Sequence, residues 1–256
     1  METSSHASKR RTRQALSLAF TAGLVSPAGL AARSSSLSSA RPFTGKTPAQ
    51  VLAIADAAEV AKGSVHIVEA DSIGGSTFQL VTDAGTSQGK QILTRSTIGN
   101  ATFLVVSAQM AYVKGDATYF EQNFSMSQGE AAEYAGQWIA VPSSSQYYAL
   151  IAEELTVSSV ITEQTPSAPL SLAKPTTVDG KSVVGVSGGL TGAPSGYTGT
   201  QVLYISTMTP YLPVSVVAHG TNAANQTLSF REEYSHYGEH VSVTAPARSI
   251  PISSIP

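Results

Sequence analysis

Residues 64–120 read SVHIVEADSIGGSTFQLVTDAGTSQGKQILTRSTIGNATFLVVSAQMAYVKGDATYF, and their rhythm decides the fold class. Within this stretch VHIVEA, STFQLVT, GKQILTRST, ATFLVVSAQ and AYVKGDATYF are short runs rich in Val, Ile, Thr, Phe and Tyr. Each is bounded by Gly, Asp or Asn, the pattern of successive antiparallel strands. The breaks at Gly74-Gly75 and Asp83–Gly85 are short enough for hairpin turns.

Upstream, the period changes to that of a helix. Thr47 offers a hydroxyl cap and Pro48 a preset first helical residue. Val51, Ile54, Ala55 and Ala58 then recur on one face, and Lys62-Gly63 supplies a basic last turn with a glycine stop. Downstream, Ser127 and Glu130 form a capping-box pair ahead of an Ala-rich turn. The segment QYYALIAEELTVSSVITE (146–163) reads as two short helices ending before Pro166. Strands then return: TTV and KSVVGVS flank Asp179-Gly180, a strong hairpin signal, and TQVLYIS, PVSVVAH, QTLSFREEY and HVSVTA follow. Strands and helices do not alternate one for one, which leaves an α+β domain and excludes doubly wound or TIM architectures.

Composition narrows the function. Charged residues make up 12% of the 256-residue chain and the formal net charge is −2. The basic residues form no stripe beyond the N-terminus, so nucleic acid is not an expected partner. Cysteine is absent, which excludes disulfides, thiolate catalysis, cysteine-held metals and lipidation at a cysteine. Residues 1–32 have the layout of an export signal: the cluster Lys9-Arg10-Arg11-Thr12-Arg13, the apolar run Ala15–Val25 and small residues near Ala31. Residues 33–46 are Ser-rich and read as a flexible tether, which leaves 47–256 as the folded domain.

Three short matches have catalytic precedents. Gly185-Val186-Ser187-Gly188-Gly189 fits a nucleophile elbow, but LTGAPSGYTG after it cannot be the helix that exposes the serine. His236-Tyr237-Gly238-Glu239-His240 fits H-x-x-E-H, but its flanks are strand-like, so a polar hairpin tip is expected where a zinc site would need a helix. Thr44-Gly45-Lys46-Thr47 lacks the upstream glycine and strand of a phosphate loop. His66 and His219 are isolated, one in a strand and one at a turn, and Trp138 is expected as a core anchor, with ligand stacking the other reading. No catalytic residue, metal site or cofactor is expected.

Several segments in order resemble a known family. The opening helix runs into Ser64-Val65-His66-Ile67. Ala111-Tyr112-Val113-Lys114-Gly115-Asp116 with Thr118-Tyr119-Phe120 resembles a Y-V-K-G-D hairpin. Tyr134-Ala135-Gly136-Gln137-Trp138-Ile139-Ala140-Val141-Pro142 is similar to a Y-A-G-K-W-I-x-V-P segment. Leu203-Tyr204-Ile205, Leu212-Pro213-Val214 and Val241–Pro246 complete the series. The chain thus resembles the LolA-like group of LppX, LprA, LprF and LprG mycobacterial envelope lipoproteins, from which it departs by lacking the lipobox cysteine.

The resemblance implies an incomplete antiparallel β-barrel with helices packed in its concave side. It implies a non-enzymatic, monomeric carrier holding an acyl lipid or lipoglycolipid in an apolar cavity, with transient contact to a membrane surface. Such a protein is expected to be secreted or in the cell envelope, and not lipidated. The expected cavity lining, taken from apolar positions, is Ile54, Ala58, Phe78, Leu80, Phe103, Val105, Leu150, Leu155 and Ile161. The alternatives are a sensor or interaction module of the same fold, or a serine hydrolase using Ser187.

Overall fold

The computed structural model describes residues 42–95, 97–152 and 155–255; residues 1–32, read as an export signal, lie outside them. The chain enters on a turn at Pro42–Gly45 whose Phe43 is buried, its ring 5.2 Å from that of Tyr211. The last residues of the stretch read as a tether therefore belong to the folded body. Helix α1 (Pro48–Lys62) follows, opened by the expected Thr47 cap and closed by Gly63. Thr47 and Gln50 complete a reciprocal capping box, so Thr47 is the helix cap and the phosphate-loop match has no role.

Five strands come next: β1 (Val65–Ile73), β2 (Ser76–Ala84), β3 (Gly89–Arg95), β4 (Ala101–Ser107) and β5 (Met110–Gly115). Gly74 and Gly75 make the β1–β2 turn with φ of 55° and 86°, values that most side chains disfavour. The next turn lies one step later than expected, at residues 85–88, with Asp83 and Ala84 still in β2. Then come α2 (Ala117–Phe124), α3 (Gln128–Tyr134), β6 (Ile139–Pro142), α4 (Gln146–Ala152) and α5 (Val157–Gln164).

The second strand run is β7 (Ser167–Leu172), β8 (Thr176–Val178), β9 (Lys181–Gly189), β10 (Thr198–Ser206), β11 (Pro213–Thr221) and β12 (Thr227–Ser235). Asp179 and Gly180 turn β8 into β9 with φ of 48° and 77°, as expected. His219 lies within β11 and not at a turn. A short β13 (Ile250–Pro251) ends the sheet.

All the strands join one sheet, ordered β13-β6-β5-β4-β3-β2-β1-β12-β11-β10-β9-β7, with β8 also along the outer edge of β9. Every pairing is antiparallel except β13 with β6, and the two ends do not meet. This is the α+β, incomplete antiparallel barrel that the resemblance implies. Burial alternates along the strands, as in β1, where Val65, Ile67, Glu69, Asp71 and Ile73 face inward. Among the described residues, helices α1–α5 pack on that inner, concave face.

Two of the expected strands need correction. AYVKGDATYF is not a strand to its end: the Asp116 carboxylate accepts from the Tyr119 amide at 2.8 Å and starts α2, while also accepting from the Asn100 backbone. The local capping outweighs the strand preference of Thr118-Tyr119-Phe120. The run HVSVTA pairs with no strand. After a turn at 236–238 it belongs to an extended strap, residues 239–249, that crosses the outer face of the sheet from β12 to β6. The strap is tied by Ser64 Oγ to the Glu239 carbonyl at 2.6 Å, by the Val243 amide to Gln88 Oε1 at 3.3 Å and by the Ile250 amide to the Trp138 carbonyl at 2.8 Å. Val241 sits so close over Gly85 that a β-carbon there would lie 3.2 Å from its side chain.

Candidate functional site

The concave face holds two apolar patches. The first lies under α2, α3 and α4 against β2–β6 and contains Phe78, Leu80, Leu93, Val105, Val113, Phe120, Ile139 and Leu155. Aromatic rings knit it: Phe103–Tyr119, Phe120–Phe124 and Phe124–Tyr147 are 5.8, 5.5 and 5.6 Å apart between centroids, distances suited to edge and tilted contacts. The second patch lies under α1 and α5 and contains Val51, Leu52, Ala55, Val65, Ile67, Val157, Val186, Leu203 and Tyr234. Phe230 packs against both.

The expected lining residues divide between these patches. Phe78, Leu80, Phe103, Val105 and Leu155 fall in or against the first, and Ile54 and Ile161 against the second. Ala58 and Leu150 are half-buried and belong to neither. The face of α1 that is buried runs Val51, Leu52, Ala55 and Glu59, rotated from the one its apolar spacing predicts. An acidic residue thus replaces Ala58 at the heart of the contact, because Glu59 finds partners there.

Those partners form a polar seam that composition and spacing did not reveal. Gln164 of α5 donates to Glu59 at 2.5 Å, and the Tyr237 hydroxyl approaches the other carboxylate oxygen at 3.5 Å. Gln201 of β10 donates to the Gln164 carbonyl at 2.8 Å and accepts from the Thr191 amide at 3.0 Å. Farther along, Gln91 donates to Thr82, Tyr234 donates to Glu232, and Glu69 stands cross-strand from Glu232 on this same face.

Burial pushes the Glu59 carboxyl up to about 7, against the hydrogen bond from Gln164 and reinforced by the charge of Asp56. Asp56 is itself raised by burial. The Tyr234 and Tyr237 hydroxyls are driven well upward, first by burial and then by the neighbouring carboxylates Glu232 and Glu59 respectively.

Helix α4 stands apart. Its sequence QYYALIA is apolar at most positions, yet no residue of it is buried. Tyr148 and Ile151 pack half-buried on the first patch, and the Tyr148 hydroxyl donates to the Ser107 carbonyl at 2.9 Å. Leu190, Tyr197 and Phe230 pack on the same patch, also half-buried. Together they make a rim of apolar side chains only partly removed from water.

The sequence matches with catalytic precedents resolve into structural roles. Ser187 lies within β9, with no elbow, and its hydroxyl is 2.7 Å from that of Ser171. His236 to Glu239 form a turn, with His236 and Gly238 at φ of 51° and 80°. Among the described residues no group of three or more histidines and carboxylates could hold a metal. His66 is not isolated, since its Nδ1 lies 2.7 Å from Asp83 and its ring stacks 5.4 Å from His236. Trp138 is not a core anchor: it precedes Ile139, whose side chain is inward, and so points to the outer face.

No protein-family model matches the chain, and neither does any curated protein. Among solved structures it is similar to LprF from Mycobacterium bovis, at 18% identity over 78% of this chain and 97% of that one, with a TM-score of 0.48. It is similar to a chain of the MucA/MucB complex of Pseudomonas aeruginosa at 12% identity, over 77% of this chain and 58% of that one, with a TM-score of 0.37. A LolA-superfamily protein from Nitrosomonas europaea aligns at 12% identity over 76% of this chain and 94% of that one, with a TM-score of 0.28.

Proposed function

We propose that this chain is an exported lipid-binding protein of the cell envelope, carrying acyl chains on the concave face of its open sheet. The observation that supports this best is the apolar helix α4, which rests on the first patch with none of its residues fully buried, beside other half-buried apolar side chains. A helix with that composition gains little by leaving Tyr148, Leu150 and Ile151 half in water. An acyl chain laid beside them would complete their burial, at about 0.8 kcal/mol for each methylene removed from water. The resemblance of Tyr112–Asp116 and Tyr134–Pro142 to the lipid-carrier group supports the same reading, and the absence of cysteine supports a carrier free of a covalent lipid. On this reading the protein acts as a monomer, meets the membrane transiently and performs no chemistry on its ligand.

Native mass spectrometry of the purified chain tests the proposal. Co-purifying acyl lipids, or mass gains on adding phospholipid, are the expected result. A bare protein mass with no gain at any lipid concentration would overturn it. A second reading, a sensor or interaction module of the same fold, is favoured by the polar seam, which divides the concave face into two separate patches. It predicts the bare mass together with a protein partner recovered by crosslinking.

A further inference from the structure

On the outer face, opposite the helices, a cleft of about 620 Å³ lies between the sheet and the strap, within the roughly 300–1,000 Å³ typical of small-molecule sites. Strand register assembles its floor: His66, Asp83, Lys90 and Leu104 are successive cross-strand partners from β1 to β4, and Ile92, Thr102 and Lys114 form the next row. Trp138 closes one end, and His236 with the strap residues Glu239–Thr244 forms the roof.

The charges in this cleft are unevenly matched. Asp83 is paired with His66 at 2.7 Å, and Glu239 is 3.7 Å from His236. Lys90 and Lys114 take part in no ion pair among the described residues. The Lys114 ammonium rests 4.8 Å from the centre of the Trp138 ring, and Ile92, an aliphatic side chain in the floor, is 38% exposed. Lys90 and Lys114 are separated by two strand spacings and two residues of register, about 12 Å between backbones. That distance lets two lysine side chains converge on one anion.

We infer that this cleft binds a phosphate group attached to an apolar or aromatic moiety, with Lys90 and Lys114 holding the phosphate and Trp138 and Ile92 contacting the remainder. The two cations supply charge-assisted hydrogen bonds, the indole a flat stacking surface, and the strap a wall that limits the size of the occupant. The phosphate could belong to a soluble ester or to a lipid headgroup. The inference does not depend on acyl-chain binding at the concave face.

The chain has a single tryptophan, so its fluorescence reports on this cleft alone. The test titrates full-length protein with phenyl phosphate, with inorganic phosphate, and with vesicles of phosphatidylglycerol in phosphatidylcholine. A saturable change with phenyl phosphate is expected, weaker with inorganic phosphate, and reduced by added salt. Lys90→Gln and Lys114→Gln should each weaken it by roughly tenfold or more, the usual effect of losing a hydrogen bond to a charged group. Lys90 is exposed, so Lys90→Gln keeps the test free of folding effects. Saturation by vesicles but not by phenyl phosphate would place the phosphate on a lipid headgroup, and the reverse would make it a soluble ester. No saturable response to any of the three, or identical titrations for wild type and both variants, would overturn the assignment.

Discussion

Replacing Glu59 with glutamine should make the protein more stable at neutral pH and change its stability little in mild acid. Glu59 is fully buried between α1, Gln164 and Tyr237, and its carboxyl is raised from 4.5 to about 7, chiefly by loss of water. In the unfolded chain the group ionises near its ordinary value, while in the folded chain it keeps its proton. Between these two values the unfolded state therefore binds fewer protons, and stability falls as pH rises. Below pH 4.5 the contribution is fully present; above about 7 it is lost, a total of about 3 kcal/mol. Glu59→Gln keeps an oxygen that can accept from Gln164 and removes the titration. Urea melts of both proteins from pH 4.5 to 8 should show a gap that opens by about 3 kcal/mol in favour of the variant. Parallel pH profiles for the two proteins would refute the account of a carboxyl kept neutral by burial.

Three other outcomes follow from the packing. Phe120, with no exposed surface and rings of Tyr119, Phe124 and Tyr134 around it, should cost about 3–5 kcal/mol in urea melts when cut to alanine. Gly89 lies against the Leu155 backbone, where a β-carbon would collide with the carbonyl. Gly89→Ala should push residue 155 off the sheet and lower the melting temperature well beyond the effect of an ordinary surface substitution. Leu150→Asp, on the half-buried side of α4, should leave the melting temperature nearly unchanged while reducing lipid retained in native mass spectra; undiminished lipid would remove α4 from the binding surface.

The parts of the fold that were readable from sequence are those set by neighbours. Thr47-Pro48, Ser127 with Glu130, and Asp179-Gly180 act within three or four residues, and each produced the cap or turn its chemistry dictates. What escaped depends on partners far along the chain. Glu59 is tolerated on a buried helix face because Gln164, more than a hundred positions away, supplies a donor. Apolar spacing alone favoured Ala58 there. Val241 and Val243 alternate like a strand, yet the strap lies over the sheet, where alternation is equally satisfied without a ladder. Trp138 followed the parity of its strand and not its hydrophobicity. For the concave face, Phe78, Leu80, Phe103, Val105 and Leu155 were identifiable as inward residues by period, whereas the seam dividing the patches required knowing which strands would be brought together.

The strap also has a mechanical consequence. It leaves β12 in the middle of the sheet and is fastened again beside β6, where β13 then pairs and ends the sheet. It therefore runs over the convex side of half the sheet as a belt runs over a drum. Curling β1–β6 more tightly would have to stretch an extended segment or break its ties at Ser64 and Gln88, whereas flattening would slacken it. Among the described residues the β9–β11 half carries no such belt. The strap thus limits how far the concave space over β1–β6 can shrink and leaves the other half free to tighten.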